Sequence, residues 1–481
     1  MKHCLSLLLL CALIISGGVE AAAQQVIAVT SKGTRTLAQM QTFYGAIMQN
    51  GVSLYKVTYT TPDAFGVLDT ASGLLVVPIR NTPSRYPLLV YQHGTVSGPT
   101  NVPSELQADW DVAAIFGGLG YVSLAPDYLG LGTSRGFHPY VHAETEASAA
   151  IDMIRAVRAY AADANILIND QLFITGYSQG GHAAAALHRE IEAGLTNEMQ
   201  VTAAAHLSGP YSISGVMRER ILATTPYFYP AYVPNTFLSY NYVYQIYDDL
   251  EQVFKPSFVP MIESYYNRES SLTTLNFNLI FQLTQEYGAS VARNMLQDSI
   301  VQILETQQPE NHPLLQALRD NDVYDWGPVA PTRLFYCMAD DQVPFRNSII
   351  ADSVMTTYNP TNFDSADMNP TANHSQCATP AITSTALFFA SFQDIQVGAE
   401  EPEALAGMAI FPNPSGDAFF FKGLEGEVAV AILDQQGKMQ AFYPQQDAGQ
   451  AVDVSQLPAG IYLVRIAGRE GFASRKLVIE R

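Results

Sequence analysis

The sequence predicts an α/β fold with a mainly parallel, twisted sheet, a helical lid insertion and a small C-terminal β-sandwich. Short, continuous apolar runs that end in glycine or polar residues are typical of strands buried on both faces of a parallel sheet. The runs are residues 87–94, 121–130, 172–178, 201–209 and 332–340. Residues 144–163 carry apolar side chains at helical spacing and fit a crossover helix between two such strands. Ligands of such sheets gather beyond the carboxyl ends of the strands, so the residues that follow the strands are the candidates for a site.

Two regions depart from this alternation of strands and helices. Residues 51–61 and 72–80 predict an early hairpin. Residues 210–328 are helical in pattern and rich in aromatic residues, so we expect an insertion above the strand ends that acts as a lid. Its tyrosines can shape an apolar acyl pocket, although we expect most of them to pack the lid helices together.

Both ends of the chain are expected to lie outside the α/β domain, which we place at residues 24–395. Residues 1–23 have a lysine, an apolar run too short to span a bilayer and then small residues, which is typical of an export signal peptide. Residues 396–407 are an acidic, polar linker. Residues 408–481 contain short alternating segments separated by turn signals, and these predict the small β-sandwich.

Composition excludes several classes of function. The chain of 481 residues has 25 Lys and Arg against 45 Asp and Glu, a net charge of −20 that repels phosphates and argues against nucleic acid as a partner. Beyond the signal peptide, no run is long and apolar enough for a transmembrane segment. Cys337 and Cys377 are the cysteines that remain after removal of the signal peptide. The sequence leaves two alternatives: the two cysteines form a disulfide, or they remain separate buried thiols.

The stretch GYSQG is the strongest signal for chemistry. Ser178 stands between Gly176 and Gly180, after a predicted strand and before an alanine-rich helix. This context predicts a nucleophile elbow, a strained turn that exposes the serine hydroxyl and leaves no room for side chains two residues on either side. The alternative is a glycine-rich turn with an idle serine.

A serine needs a base, and in this arrangement an acid and then a histidine follow it along the chain. Asp340 comes directly after the last predicted apolar strand and is the preferred acid, with Asp341 in reserve. His374 is the one histidine after Asp340 and is therefore the expected base. We expect neither a metal nor an organic cofactor.

Acyl transfer also needs hydrogen-bond donors for the oxyanion. The backbone N–H of Gln179, directly after the nucleophile, is the first candidate. Gly94 and Thr95 follow an earlier strand, where Gly94 allows close approach of the backbone and the N–H of Thr95 is the preferred second donor. Asp127 ends a neighbouring strand and either lines the pocket or holds a structural turn.

Together these motifs resemble the α/β-hydrolase superfamily, and more narrowly its secretory lipase and esterase branch. The matching segments are HGT from His93, PDYLGLG from Pro126, GYSQGG from Gly176, ADDQVP from Ala339 and HSQC from His374. The resemblance covers roughly residues 40–392 and implies Ser178 as nucleophile, His374 as base and Asp340 as the orienting acid. It implies a lipid or small-molecule ester as substrate.

The C-terminal segment resembles the sorting domain of type IX secretion in Gram-negative bacteria. The matching segments are IFPNPSGD from Ile410, AILDQQGKM from Ala431, LPAGIYLVRI from Leu457 and the terminal KLVIER. Such a domain implies the type IX machinery as a partner and export through the periplasm to the cell surface or the medium. It implies no role in catalysis.

Three functions remain open from the sequence. The first is an exported serine hydrolase that cleaves carboxylic esters through an acyl-enzyme. The second is a serine peptidase of the prolyl type with the same triad, and the third is a cell-surface binding protein that keeps the fold without catalysis.

Overall fold

The computed structural model describes residues 25–80, 84–164, 166–397, 407–434, 439–468 and 471–481. The predicted signal peptide and most of the predicted linker lie outside this set. Contacts divide the chain into two compact units. The larger covers the chain up to Ile79 together with Tyr86–Asp394, and the smaller covers Arg80–Arg85 with Ile395–Arg481.

The larger unit is built on one mixed sheet. Its strands are β1 (Val26–Arg35), β2 (Gly51–Pro62), β3 (Leu68–Ile79), β4 (Ser84–Gln92), β5 (Val122–Pro126), β6 (Ile168–Tyr177), β7 (Ala203–Leu207), β8 (Thr332–Tyr336) and β9 (Phe363–Asp367). They lie in the order β1-β2-β3-β5-β4-β6-β7-β8-β9. The pairs from β1 to β5 are antiparallel, and every pair from β5-β4 to β8-β9 is parallel. The predicted α/β fold with a mainly parallel sheet is thus confirmed, and the predicted hairpin is the pair of β2 and β3.

Helices cover this sheet and form the insertion. They are α1 (Leu37–Tyr44), α2 (Trp110–Gly118), α3 (Ala143–Asp163), α4 (Gln179–Gly194), α5 (Arg218–Leu222), α6 (Tyr232–Tyr244), α7 (Val259–Tyr266), α8 (Leu272–Tyr287), α9 (Asp298–Thr306), α10 (Pro313–Asp320), α11 (Arg346–Thr357) and α12 (His374–Ala390). The predicted crossover helix is α3. None of the helices in the described part of the chain combines the length and the apolar character needed to span a bilayer.

Helix α4 lies unusually close to the sheet because its first turns are made of glycine and alanine. Ala183 and the three alanines that follow it are buried. A Cβ on Gly181 would come within 2.5 Å of the carbonyl oxygen of Leu207. The small residues therefore place the N-terminus of α4 directly beyond the ends of β6 and β7, where the candidate site lies.

The insertion between β7 and β8 contains α5–α10 and has an apolar core of its own. Tyr227 and Tyr240 are buried in this core, and other tyrosines of the insertion pack against it from its margin. Leu275, Leu279 and Leu283 of α8 contribute one buried face at helical spacing. Core packing therefore accounts for much of the aromatic content of this segment.

The smaller unit consists of short antiparallel strands. They are β10 (Gln396–Val397), β11 (Ala409–Phe411), β12 (Ala418–Lys422), β13 (Glu427–Leu433), β14 (Met439–Asp447), β15 (Val452–Asp453), β16 (Gly460–Gly468) and β17 (Gly471–Ile479). Two sheets form, in the orders β11-β12-β15 and β14-β13-β16-β17. Phe419 and Phe421 of the first sheet share a buried core with Val430, Val464 and Leu477 of the second, which is the expected small sandwich.

Candidate active site

Ser178 sits on a strained turn between β6 and α4. Its φ of 62° and ψ of −123° lie outside the regions that most L-residues adopt, and its N–H donates to the carbonyl of Leu207 at 2.9 Å. A Cβ on Gly176 would overlap the carbonyl oxygen of Gly180, and a Cβ on Gly180 would overlap that of Gln92. Both glycines are thus required by close backbone approach, as an elbow predicts.

The three predicted triad residues meet at this turn. The Nε2 atom of His374 lies 2.8 Å from the Oγ atom of Ser178. The Nδ1 atom of the same ring lies 2.6 Å from the Oδ2 atom of Asp340. Ser178 is 8% exposed and His374 is 5% exposed, so the chain of hydrogen bonds is largely shielded from water. This geometry allows the ring to take a proton from the serine while the carboxylate fixes its orientation.

The two aspartates after β8 have different partners. The Oδ1 atom of Asp340 accepts the N–H groups of Gln342 at 2.9 Å and Val343 at 2.8 Å, which leaves Oδ2 for the imidazole. Asp341 instead accepts the backbone N–H of His374 at 3.1 Å. The preferred acid of the sequence therefore contacts the ring, and its neighbour holds the backbone that carries the ring.

A disulfide joins the loop of the acid to the helix that carries the base. Cys337 and Cys377 are bonded, with their Cα atoms 5.9 Å apart. The hydroxyl of Tyr177 adds a second tie, because it donates to the carbonyl of His374 at 2.5 Å. The histidine is thus held from two sides through its backbone.

The N–H groups that the sequence predicts as oxyanion donors are both available. In the described part of the chain, the backbone N–H groups of Gln179 and Thr95 donate to no acceptor. The N–H of Gly94 donates to the Oδ2 atom of Asp109 at 2.9 Å and is therefore already in use. A Cβ on Gly94 would lie 3.8 Å from the Cβ of Ser178, so this glycine provides space beside the serine.

Asp127 is a structural residue rather than part of the pocket wall. It is fully buried and accepts the hydroxyl of Ser72 at 2.6 Å and the N–H of Ser104 at 3.0 Å. Burial raises the pKa of its carboxyl. Of the two interpretations that the sequence leaves open, the structural turn therefore holds.

A buried polar network behind Gln179 was not predicted from the sequence. The side-chain Nε2 of Gln179 donates to Glu146 Oε1 and to His138 Nε2, both at 2.9 Å. The second oxygen of Glu146 lies 2.7 Å from Nδ1 of His182, whose Nε2 donates to the carbonyl of Asn321 at 2.9 Å. Gln179 and His182 belong to α4, whereas Glu146 belongs to α3 and His138 to the loop before it, and no local pattern marks them as partners. They hold the residue that follows the nucleophile.

Two small cavities lie beside these residues. One, of about 40 Å³, has a mainly apolar lining into which a few polar residues are set, among them Thr95, Gln179 and Asn235. The other, of about 30 Å³, is mostly apolar and is lined by residues of the insertion such as Tyr227 and Tyr232. Tyr140 lines both cavities.

Comparison with known proteins divides the chain in the same way. Residues 409–480 match the family described as the secretion system C-terminal sorting domain. No curated protein matches this sequence. The sorting domain indicates a secreted or cell-surface protein.

Solved structures resemble the larger unit. The rice cell wall degrading esterase LipA from Xanthomonas oryzae is 26% identical with a TM-score of 0.65, over 75% of this chain and 95% of LipA. A putative hydrolase from Legionella pneumophila is 24% identical with a TM-score of 0.68, over 76% of this chain and 98% of its own. Candida antarctica lipase A in its closed state is 14% identical with a TM-score of 0.55, over 75% and 82%.

These similarities support a hydrolase activity for this chain but do not define its substrate. The chain therefore has the α/β-hydrolase fold, followed by a C-terminal sorting domain of type IX secretion.

Proposed function

We propose that this protein is an exported serine hydrolase that cleaves carboxylic esters through an acyl-enzyme. One observation carries the proposal: a single imidazole, that of His374, lies 2.8 Å from the hydroxyl of Ser178 and 2.6 Å from the carboxylate of Asp340. This arrangement activates a serine that would otherwise be a weak nucleophile. The esterases and the lipase of the same fold agree with this class of reaction.

In the first half of the reaction, Ser178 Oγ attacks the ester carbonyl carbon while His374 Nε2 takes the hydroxyl proton. The carbonyl oxygen becomes an oxyanion, for which the N–H groups of Gln179 and Thr95 are the proposed donors. The tetrahedral intermediate collapses, the bond to the leaving oxygen breaks, and His374 gives the proton to that oxygen. An alcohol leaves and Ser178 carries the acyl group.

In the second half, water replaces the alcohol. His374 takes a proton from the water as its oxygen attacks the acyl carbon, and the same N–H groups bind the new oxyanion. Collapse of this intermediate breaks the bond to Ser178 Oγ and returns the proton to that oxygen. The carboxylic acid is released and the enzyme is restored. Asp340 keeps the ring oriented and stabilises its charged form throughout.

A fluorophosphonate probe, which phosphorylates activated serines, tests the nucleophile. We expect the wild type to be labelled and Ser178→Ala to be unlabelled, with a loss of esterase activity of about 10⁴-fold or more. Ser353→Ala is the control and should keep its label, because Ser353 is exposed on α11 and lies outside the residues placed at the site. Labelling that persists in Ser178→Ala would contradict the assignment.

The same experiment separates the other candidate functions. A wild type that is never labelled would favour a binding protein without catalysis. Chromogenic esters of increasing chain length, assayed beside peptide amides, distinguish an esterase from a peptidase. We expect hydrolysis of the esters and not of the amides, in line with the esterase from Xanthomonas oryzae that shares the fold.

A further inference from the structure

The side chain of Gln179 has a buried oxygen without a hydrogen-bond donor, and the residue lines the cavity of about 40 Å³. Gln179 is 1% exposed and lines the cavity of about 40 Å³. Its Nε2 atom has two acceptors, but its Oε1 atom is buried and accepts no hydrogen bond. A buried carbonyl without a donor costs free energy, so a native site that keeps one needs an explanation.

The hydrogen-bond network around the amide fixes which of its ends is left without a partner. Glu146 Oε1 lies 2.9 Å from Nε2 and is an acceptor, so it repels an oxygen at that place. His138 Nδ1 donates to the carbonyl of Leu129 at 2.9 Å, and burial lowers the pKa of the ring to about 3. The neutral ring therefore offers Nε2 as a second acceptor. Both neighbours require the NH₂ group, so the oxygen is the end of the amide that is left unpaired.

The same cavity also offers a donor. Asn235 is 2% exposed and lines it, and the Oδ1 atom of Asn235 accepts the hydroxyl of Tyr265 at 2.9 Å. In the described part of the chain its Nδ2 group donates to no acceptor. A hydroxyl group both donates and accepts, so it fits this pair of amides, whereas an alkyl group would leave the Gln179 oxygen unpaired.

We infer that the side-chain carbonyl of Gln179 is a specificity determinant that accepts a hydrogen bond from a hydroxyl group of the substrate. The inference rests on the proposed function and names its substrate class: esters with a hydroxyl a few atoms from the scissile carbonyl. Glu146 and His138 act as positioning residues, because they hold the amide in the orientation that presents oxygen. The backbone N–H of residue 179 remains the proposed oxyanion donor, whatever the side chain.

Two pairs of esters test the inference and show on which side of the scissile bond the hydroxyl lies. 2-Hydroxyethyl butyrate against propyl butyrate tests the alcohol side. Ethyl 3-hydroxybutyrate against ethyl 3-methylbutyrate tests the acyl side. In each pair a methyl group replaces the hydroxyl, and the quantity measured is the ratio of the two kcat/KM values. We expect Gln179→Met to lower this ratio about tenfold relative to wild type in one pair.

Because a ratio is measured, partial loss of fold or of general activity cancels. Leu131→Met, at an apolar position of the same cavity, is the matched control and should leave both ratios unchanged. Glu146→Gln should lower the same ratio as Gln179→Met, because an amide at position 146 can also donate and so allows the Gln179 amide to turn.

The outcomes separate this inference from the proposed function. If wild type hydrolyses the esters and Gln179→Met changes both ratios by less than twofold, the inference is wrong and the esterase assignment stands. If wild type hydrolyses no ester and no fluorophosphonate labels Ser178, the proposed function fails and the inference fails with it.

Discussion

The elbow around Ser178 and the acid–base pair of Asp340 and His374 are held in position by different kinds of contact. The elbow is one contiguous stretch, Gly176 to Gly181, and its geometry follows from backbone contacts with Gln92 and Leu207. Asp340 and His374 are 34 residues apart and belong to a loop and a helix. The disulfide and the hydrogen bond that the N–H of His374 donates to Asp341 bring these two segments together.

This difference indicates where each half is sensitive to change. In the elbow, there is no space for even one additional carbon, and no side chain can move away because the neighbouring atoms are backbone. The acid–base pair depends on the disulfide and the hydrogen bond that join the loop of Asp340 to the helix of His374. Loss of one of these links lets the two side chains move apart but creates no steric clash. We therefore expect steric substitutions to destroy the elbow and removal of the cross-link to weaken the pair.

The largest effect is expected from Gly180→Ala. The added Cβ would overlap the carbonyl oxygen of Gln92, so β4 and the turn must separate, at a cost of about 5 kcal/mol or more in the free energy of unfolding. Urea unfolding and fluorophosphonate labelling measure the result, and both stability and labelling should be lost. Gly194→Ala, in the last turn of the same helix with open space around it, should stay within about 1 kcal/mol of wild type. Equal behaviour of the two variants would contradict the steric account.

A smaller effect is expected when the cross-link of the acid–base pair is removed. Cys337→Ala with Cys377→Ala opens a loop defined by a separation of 40 residues, and loop-closure entropy predicts a loss of about 4 kcal/mol. The variant should fold, with a kcat that falls more than KM rises, because Asp340 and His374 are held less firmly. Wild type treated with a reductant is the matched comparison and should behave in the same way. An unchanged kcat and urea midpoint would show that the other hydrogen bonds suffice.

The elbow could be predicted from the sequence because its causes are local. A strand, two glycines around a serine and a helix of alanines are contiguous, and each residue type has a steric reason. Asp340 and His374 could be proposed only from their order along the chain and their place after a strand. The hydrogen bond of Gly94 to Asp109 could not be foreseen, since nothing in the local pattern indicates whether the N–H of Gly94 or that of Thr95 is already in use.

The edges of the sheet and the network behind Gln179 were missed for different reasons. β1 and β9 lie at the two edges of the sheet and are mostly not buried, so they lack the continuous apolar run by which the central strands were recognised. Glu146 is 33 residues before Gln179 and His138 is 41 residues before it. A buried polar network among residues so far apart depends on packing that the sequence alone does not specify.

The smallest expected effect is a pH dependence of the free energy of unfolding, caused by His138, which contacts Gln179 in the elbow. Burial, together with the nearby His93, lowers the pKa of His138 to about 3, although the hydrogen bond to Leu129 opposes this. An unfolded histidine titrates near 6.5, so between about pH 6.5 and 3 the unfolded chain binds a proton that the folded chain does not. This ring therefore stabilises the fold fully above about pH 6.5, and its contribution falls by at most about 1.4 kcal/mol per pH unit as the pH drops.

His138→Gln removes this titration and keeps a side chain that can form hydrogen bonds. Between pH 6 and 4, we expect the free energy of unfolding to fall less steeply with decreasing pH in the variant than in wild type, as measured by urea unfolding at each pH. Some slope should remain, because burial also lowers the pKa of His142, to about 4, and of His206. His312→Asn is the control. Burial lowers the pKa of His312 too, but its ring is far less buried, so this variant should keep a slope close to that of wild type. A slope in His138→Gln as steep as in wild type would mean that His138 is protonated in the folded protein, and its Nε2 atom would then no longer be available as an acceptor for the Gln179 amide.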